Sequence, residues 1–274
     1  MNSQVLDALS EIGRRRDAEI DLADAALLLG AFEKSDTDLA PYRAHLAQIA
    51  DDMRAAAGPT ESVERQAAHL SEVLVRRHRY QGDAETYDDM RNANLIDVID
   101  RRQGLPVALG VLYLHAGRAY GADIVGLNFP SHFLVRLSGR GQRTILDPFS
   151  RGQSMVAEDL RRRLKDLHGP DAEIAPSHYT PVDNRDVLIR LQNNIKLRAI
   201  AAGDLARAIR VLDTMTLVAP DRSDLWWELA ILDSRSGNLK RAIATLERFL
   251  DERPAASGRS ELEDLLQRLR GRVH

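Results

Sequence analysis

Residues 104–149 read GLPVALGVLYLHAGRAYGADIVGLNFPSHFLVRLSGRGQRTILDPF, and the fold is decided here. From Pro106 to Tyr120 nearly every position is apolar: Val107, Ala108, Leu109, Val111, Leu112, Leu114, Ala116 and Ala119. A helix that is apolar all round is buried in a core or set in a membrane. The chain holds no apolar run long enough to span a bilayer, so this one predicts a buried central helix. Pro106 is tolerated in the first turn, and Gly121 suits a C-terminal cap. Three strand-like runs follow, over residues 124–129, 132–137 and 144–146. Pro130-Ser131 divides the first two, and Ser138-Gly139-Arg140-Gly141 has the composition of a hairpin turn. The stretch predicts a small antiparallel meander on the helix. His132 opens its second strand and Asp147 closes its third.

Toward the N-terminus the chain reads as helices. Residues 1–16 are polar and predict a frayed end. Apolar residues Ile20, Ala23, Leu27 and Leu28 recur at helical spacing. A second helix runs over residues 38–57 with Pro41 in its first turn, and Gly58-Pro59 ends it. Thr60-Glu61-Ser62 predicts an N-cap for a helix reaching about His78. A polar bridge, residues 81–94, leads to a short helix over 95–102.

Toward the C-terminus a helix is expected over 156–167, then a Pro-rich loop. Beyond it lies a repeat of period 34. The heptapeptide starting at Gly203 realigns on the one starting at Gly237, Leu212 on Leu246, and Pro220 on Pro254. Period and positions match the tetratricopeptide pattern, whose unit is a pair of antiparallel helices. Lys196 makes the first repeat weaker, because it stands where a small residue is usual. The expected fold class is α+β and mostly helical. The expected divisions are an N-terminal helical region (1–80), a core (81–170), a linker (171–185), and helical repeats with a capping helix (186–274).

Composition excludes several function classes. A net charge of −3 gives no global push toward nucleic acid or an anionic membrane. The basic runs at 14–16, 76–79 and 161–165 sit among acids on helical patterns and read as solvated faces. Zero cysteines remove disulfides, thiolate chemistry and Cys-ligated metal. No phosphate-binding loop and no HExxH spacing is present. His115 on the central helix adds a third possible ligand to His132 and Asp147, but no spacing supports a metal site. No cofactor, metal, nucleic acid or membrane partner is expected, and a cytoplasmic setting is the default.

Across a turn, fifteen residues apart, His132 and Asp147 can stand side by side on one face. A carboxylate that orients an imidazole is the base half of a nucleophilic catalyst. A lone structural histidine is an equally fair reading of the same spacing. The helix start, where a dipole-assisted nucleophile would stand, is Gly104, Leu105, Pro106, Val107 and Ala108. None of these can attack a carbonyl. The nearest hydroxyls, Tyr113 and Ser131, are unconvincing substitutes.

These residues carry a family resemblance. The RRxGxP run at 101–106 and the NFPSHFLVR run at 128–136, with Asp147-Pro148-Phe149 and the 34-residue repeat, resemble the bacterial SirB proteins. Those join a transglutaminase-like (papain-like) core to tetratricopeptide repeats. The resemblance implies a Cys–His–Asp ancestry in which His132 and Asp147 match the family His and Asp. The Cys position falls within 104–108 and is empty of any nucleophile, as is common in this branch. Ser131 stands where Gly is usual. The expected function is therefore non-catalytic: a pseudoenzyme that holds a protein or peptide partner through the vestigial cleft or the repeat surface. The alternative is a hydrolase in which the His132/Asp147 pair activates water.

Overall fold

The computed structural model describes residues 2–34, 36–56, 58 and 62–272. They form two compact units. One is Asp17–Leu191; the other joins the residues up to Arg16 to those from Gln192 onward.

The Asp17–Leu191 unit is organised on the apolar run. Helix α2 (Leu22–Glu33) is capped by Asp21, whose side chain accepts from the Ala23 and Asp24 amides. Helix α3 (Ala40–Ala56) carries Pro41 in its first turn. Helix α4 (Val63–Leu70) is capped by Ser62 and continues as a π-helical run, Ser71–Arg77. Thr60, Glu61 and Pro59 lie outside the described residues. Two-residue strands β1 (Gln81–Gly82) and β2 (Gln103–Gly104) pair in parallel on either side of α5 (Leu95–Arg101). Helix α6 (Pro106–Ala119) follows, and α2, α3, α4 and α5 all pack on it. Eleven of its residues are buried, among them every aliphatic one from Val107 to Leu114.

The sheet has five strands, not three. β3 (Asp123–Leu127), β4 (Leu134–Gly139), β5 (Gln142–Asp147) and β6 (Gln153–Met155) form an antiparallel meander. β7 (Pro181–Val182) adds to its far edge beside β3, in the order β6-β5-β4-β3-β7. The Pro-rich stretch expected as a linker thus ends inside the sheet, and the division between units falls at Leu191/Gln192. Helix α7 (Ala157–His168) lies between β6 and β7 in the chain. His132 precedes β4 instead of opening it: Pro130 has no amide to donate, and Ser131 turns the chain with φ 54°.

One side chain ties sheet to helix. The Phe133 ring lies against Gly110 of α6 and Gly126 of β3; a Cβ at either glycine would sit 2.3 or 2.5 Å from it. The Arg190 guanidinium stacks over the same ring, 5.7 Å from its centroid.

In the second unit, α8 (Asn184–Ala201, entering at Gln192) and α9 (Leu205–Val218) form one helical pair. α10 (Ser223–Arg235) and α11 (Leu239–Glu252) form the next, and α12 (Arg259–Arg270) closes the stack. Gly203 and Gly237, one period apart, both adopt positive φ (76° and 83°) in the intra-repeat turns, which explains why glycine recurs there. Lys196 is buried and reaches Glu228 of the second repeat at 2.5 Å, so the residue that weakens the pattern is an inter-repeat ion pair. The N-terminal residues are not frayed. Helix α1 (Asn2–Arg14) packs on α9 and buries Leu9 and Ile12, one face of an amphipathic helix. It comes so close that a Cβ on Gly13 would overlap the Leu217 carbonyl. Among the described residues no helix is long and apolar enough to cross a membrane.

Candidate functional site

The site is built where the meander ends. Asp147, the last residue of β5, is wholly buried. A buried carboxylate must be matched on every face. Oδ1 accepts from His132 Nε2 at 2.8 Å and from the Phe149 amide at 2.9 Å. Oδ2 accepts from the Ser150 hydroxyl at 2.8 Å and from Arg163 Nη2 at 2.9 Å. Burial pushes the Asp147 pKa up; the hydrogen bonds from His132 and Ser150 and the Arg163 charge outweigh it and hold the group below the ordinary carboxylate range.

His132 is almost sealed, at 6% exposure. Its backbone carbonyl, with that of Phe129, accepts from Arg190, which fixes the loop ahead of β4. Arg163 Nη1 lies 3.0 Å from Nδ1 and 3.1 Å from Nε2. A contact nearly equidistant from the two ring nitrogens lays the guanidinium over the face of the imidazole, while Nε2–H donates to Asp147 in the ring plane.

In a thiol or serine catalyst the imidazole nitrogen turned away from the carboxylate faces the nucleophile. Here a guanidinium lies over the ring instead, and it keeps its own proton and cannot supply one to a base. Arg163 therefore covers the His132 ring and shares Asp147 with it. It lies within the basic run expected to be a solvated face. Arg161, Arg162 and Lys165 do pair with surface acids on α7 or at Glu173. Arg163 instead borders the buried stripe of Leu160 and Leu164, three residues after the first, and that helical spacing is the signal that could have found it.

Residues 104–108 carry no side chain that could attack a carbonyl. Gly104 lies in β2, Leu105 caps α6, and Pro106, Val107 and Ala108 are buried in its first turn. An aromatic run links this helix start to the pair. Phe149 meets His132 edge-on at 6.1 Å and packs on Gly82, which pairs with Gly104. Tyr113 also reaches the site. Its hydroxyl lies beside Gly152, has no hydrogen-bond partner, and is held protonated by burial and then by the Asp147 charge. Among the described residues no base lies in hydrogen-bond contact with it, so nothing is placed to take its proton. Ser131 lines the cleft from its left-handed turn. His115 is turned toward α3, with Nε2 2.9 Å from the Leu46 carbonyl. Among the described residues no three His, Asp or Glu side chains could hold a metal.

The RRxGxP run is structural. Arg101 donates to Asp83 (2.7 Å) and Asn92 (2.8 Å), pinning the polar bridge. Arg102, at φ 59°, reaches the Tyr80 hydroxyl and His45.

His132 forms part of the wall of a cleft of about 500 Å³. Tyr87, Phe149, Met155, Arg162 and Leu167 line the rest. Tyr87 and Leu167 remain exposed at 38% and 49%, an apolar rim on an otherwise charged opening.

Comparison with known proteins fits this geometry. The model of the transglutaminase-like superfamily matches residues 40–193, and the tetratricopeptide repeat model matches 195–267. A UPF0162 protein of Xylella fastidiosa is 27% identical over 242 residues, covering 87% of this chain and 86% of its own. A UPF0162 protein of Vibrio cholerae is 29% identical over 203 residues, covering 74% and 75%. Human F-box only protein 21 is 32% identical over 134 residues, 46% of this chain and 20% of that protein.

Proposed function

The chain belongs to the transglutaminase-like superfamily, and from that premise we propose that it is a non-catalytic member that works by holding a protein or peptide partner. The observation that carries the reading is the Arg163 guanidinium laid against the His132 ring, within 3.1 Å of both nitrogens. With no nucleophile at 104–108 and the imidazole covered by a guanidinium, the inherited pair serves as an anchor for the cleft wall. The partner surface is supported by two apolar side chains on successive repeats, Leu197 of α8 (59% exposed) and Trp227 of α10 (39% exposed). They follow and precede the Lys196–Glu228 bridge that joins those helices. The SirB-type branch and a cytoplasmic setting belong to the same proposal, supported by the two sequence runs joined to repeats and by a chain without cysteine.

Purified protein tests this. Incubated with a glutamine-containing peptide and an amine acceptor, and with peptide amides alone, it gives no turnover above buffer. Turnover that disappears in His132→Ala overturns the reading. A photoreactive residue at 227 gives a discrete cross-linked partner in the native cell; a residue placed at exposed Arg210 gives none.

One observation favours a second reading, a water-activating hydrolase. The His132–Asp147 hydrogen bond is well formed and His132 faces the cleft. That reading requires Arg163 to swing off the imidazole ring. Hydrolysis gained in Arg163→Ala and lost again on adding His132→Ala would establish it.

A further inference from the structure

We propose that a groove between α1 and the C-terminal ends of α9 and α11 binds a carboxylate-bearing peptide segment of a protein partner. The inference rests on the partner-holding reading and names the chemistry of one contact.

The groove, about 420 Å³, is walled by Gly13 and Arg14 of α1, Leu217 of α9, Trp226 of α10, and Arg248 and Arg253 of α11. Its charges do not balance. Glu252 is the acid among its described lining residues and is already matched to Arg253 at 2.8 Å. Arg14 has a loose partner in Glu11, at 3.4 Å with both side chains largely in solvent. Arg248 makes no ion pair among the described residues. It is nonetheless held in place, its guanidinium 4.7 Å from the centroid of the Trp226 ring, with Arg253 5.6 Å from the same ring.

Stacking occupies the face of a guanidinium and leaves its in-plane N–H fork free. A fork without an anion, fixed beside a second arginine, is a receptor for a planar carboxylate. Arg253 is matched to Glu252 and Asp221, so the cation left for an anionic ligand is Arg248, with Arg14 held only loosely by Glu11. Leu217 and Pro220 add an apolar wall suited to the aliphatic neighbours of an acidic side chain.

The rest of the molecule argues against phosphate polymers. Nucleic acid is held by rows of cations and by open aromatic platforms. This chain is net acidic, and Trp226 is buried with its ring already stacked. A concave groove of this size also fits an extended chain better than a planar lipid surface.

The test is fluorescence anisotropy with the full chain and a short fluorescein-labelled peptide alternating glutamate and leucine. Saturable binding is expected, weakened roughly tenfold by Arg248→Gln and by Arg14→Gln, since each removes one charge-assisted contact. Arg210→Gln, an exposed change on α9 outside the groove, leaves it unaltered. The peptide with glutamine for glutamate does not bind. Arg14 is exposed, so its variant keeps the fold if Arg248→Gln should not. The proposal is overturned if wild type shows no saturable binding, if Arg14→Gln combined with Arg248→Gln binds as wild type does, or if the glutamine peptide binds equally. It is also overturned if single-stranded DNA or phosphatidylserine vesicles are retained through the same arginines more tightly than the peptide. Any of these leaves the cross-link at residue 227 and the absence of turnover as separate tests of the broader reading.

Discussion

Arg163 Nη2 donates to Asp147 Oδ2 at 2.9 Å, and the carboxylate it reaches has no exposed surface. Removing one partner of a buried pair strands the other charge, a loss of several kcal/mol when both are sealed. Arg163 keeps 30% exposure, and His132 and Ser150 still serve the carboxylate. Arg163→Met is therefore expected to cost about 2 kcal/mol, read by urea unfolding. In an Asp147→Asn background the same change costs about 1 kcal/mol less, because no stranded charge remains. Additive effects in that double-mutant cycle would show that Arg163 is only a surface cation lying near the pair.

A second cluster makes stability depend on pH. His45 Nε2 meets the Tyr80 hydroxyl at 2.8 Å and the Arg102 guanidinium, with the His78 ring edge-on at 5.1 Å. Burial, then the charges of Arg102 and His78, push its pKa down to about 4. The folded value lies below the unfolded one near 6.5, so the unfolded chain binds a proton first. Stability contributed by the neutral ring is complete above about pH 6.5 and is lost as pH falls toward 4. The half-buried position discounts the effect to on the order of 1 kcal/mol. His45→Gln should flatten the urea midpoint between pH 6.5 and 4. An unchanged slope would remove His45 as the cause.

The Phe133 wedge gives a packing prediction. A methyl on Gly110 would sit 2.3 Å from the ring, in a helix with no free side. Gly110→Ala gains helix propensity but overpacks the core, for a net loss of about 1–3 kcal/mol. Phe133→Leu, itself destabilising through lost volume, should recover part of the Gly110→Ala loss when the two are combined. Two losses that simply add, measured by thermal unfolding, would mean that the ring and the glycine do not confront each other.

Much of this architecture is legible because single residues dictate it locally. Helix α6 announces itself by having no polar stripe, and the repeats by Gly203 and Gly237, which their turns require. The His132–Asp147 pair is legible because a short hairpin connection brings facing strands together. Arg163 and Arg190 are not, since each looks like any helical cation until the distant loop it serves is folded against it. Strands β6 and β7 are three and two residues long, below the length at which alternation can be read. Helix α1 hides because most of its surface is polar and its partner, α9, lies some two hundred residues away in the chain.

The adjacent tryptophans separate folding from binding within one helix. Trp226 is 4% exposed, donates its Nε1–H to the Pro220 carbonyl at 2.9 Å, and packs on Phe249 at 5.5 Å. Trp226→Ala removes the largest side chain of the repeat core and should cost about 3–5 kcal/mol, enough to unfold the repeats at ordinary temperature. Trp227 leaves 39% of its surface in solvent, so Trp227→Ala should shift stability by about 0.5 kcal/mol or less. If Trp227 is an anchor for the partner, the same change weakens partner capture by roughly tenfold or more, because aromatic anchors dominate interface energies. Circular dichroism melts and quantitative capture of the cross-linked partner read the two effects independently. A Trp227→Ala protein that melts like wild type and binds its partner equally well would move the contact surface off α10 altogether.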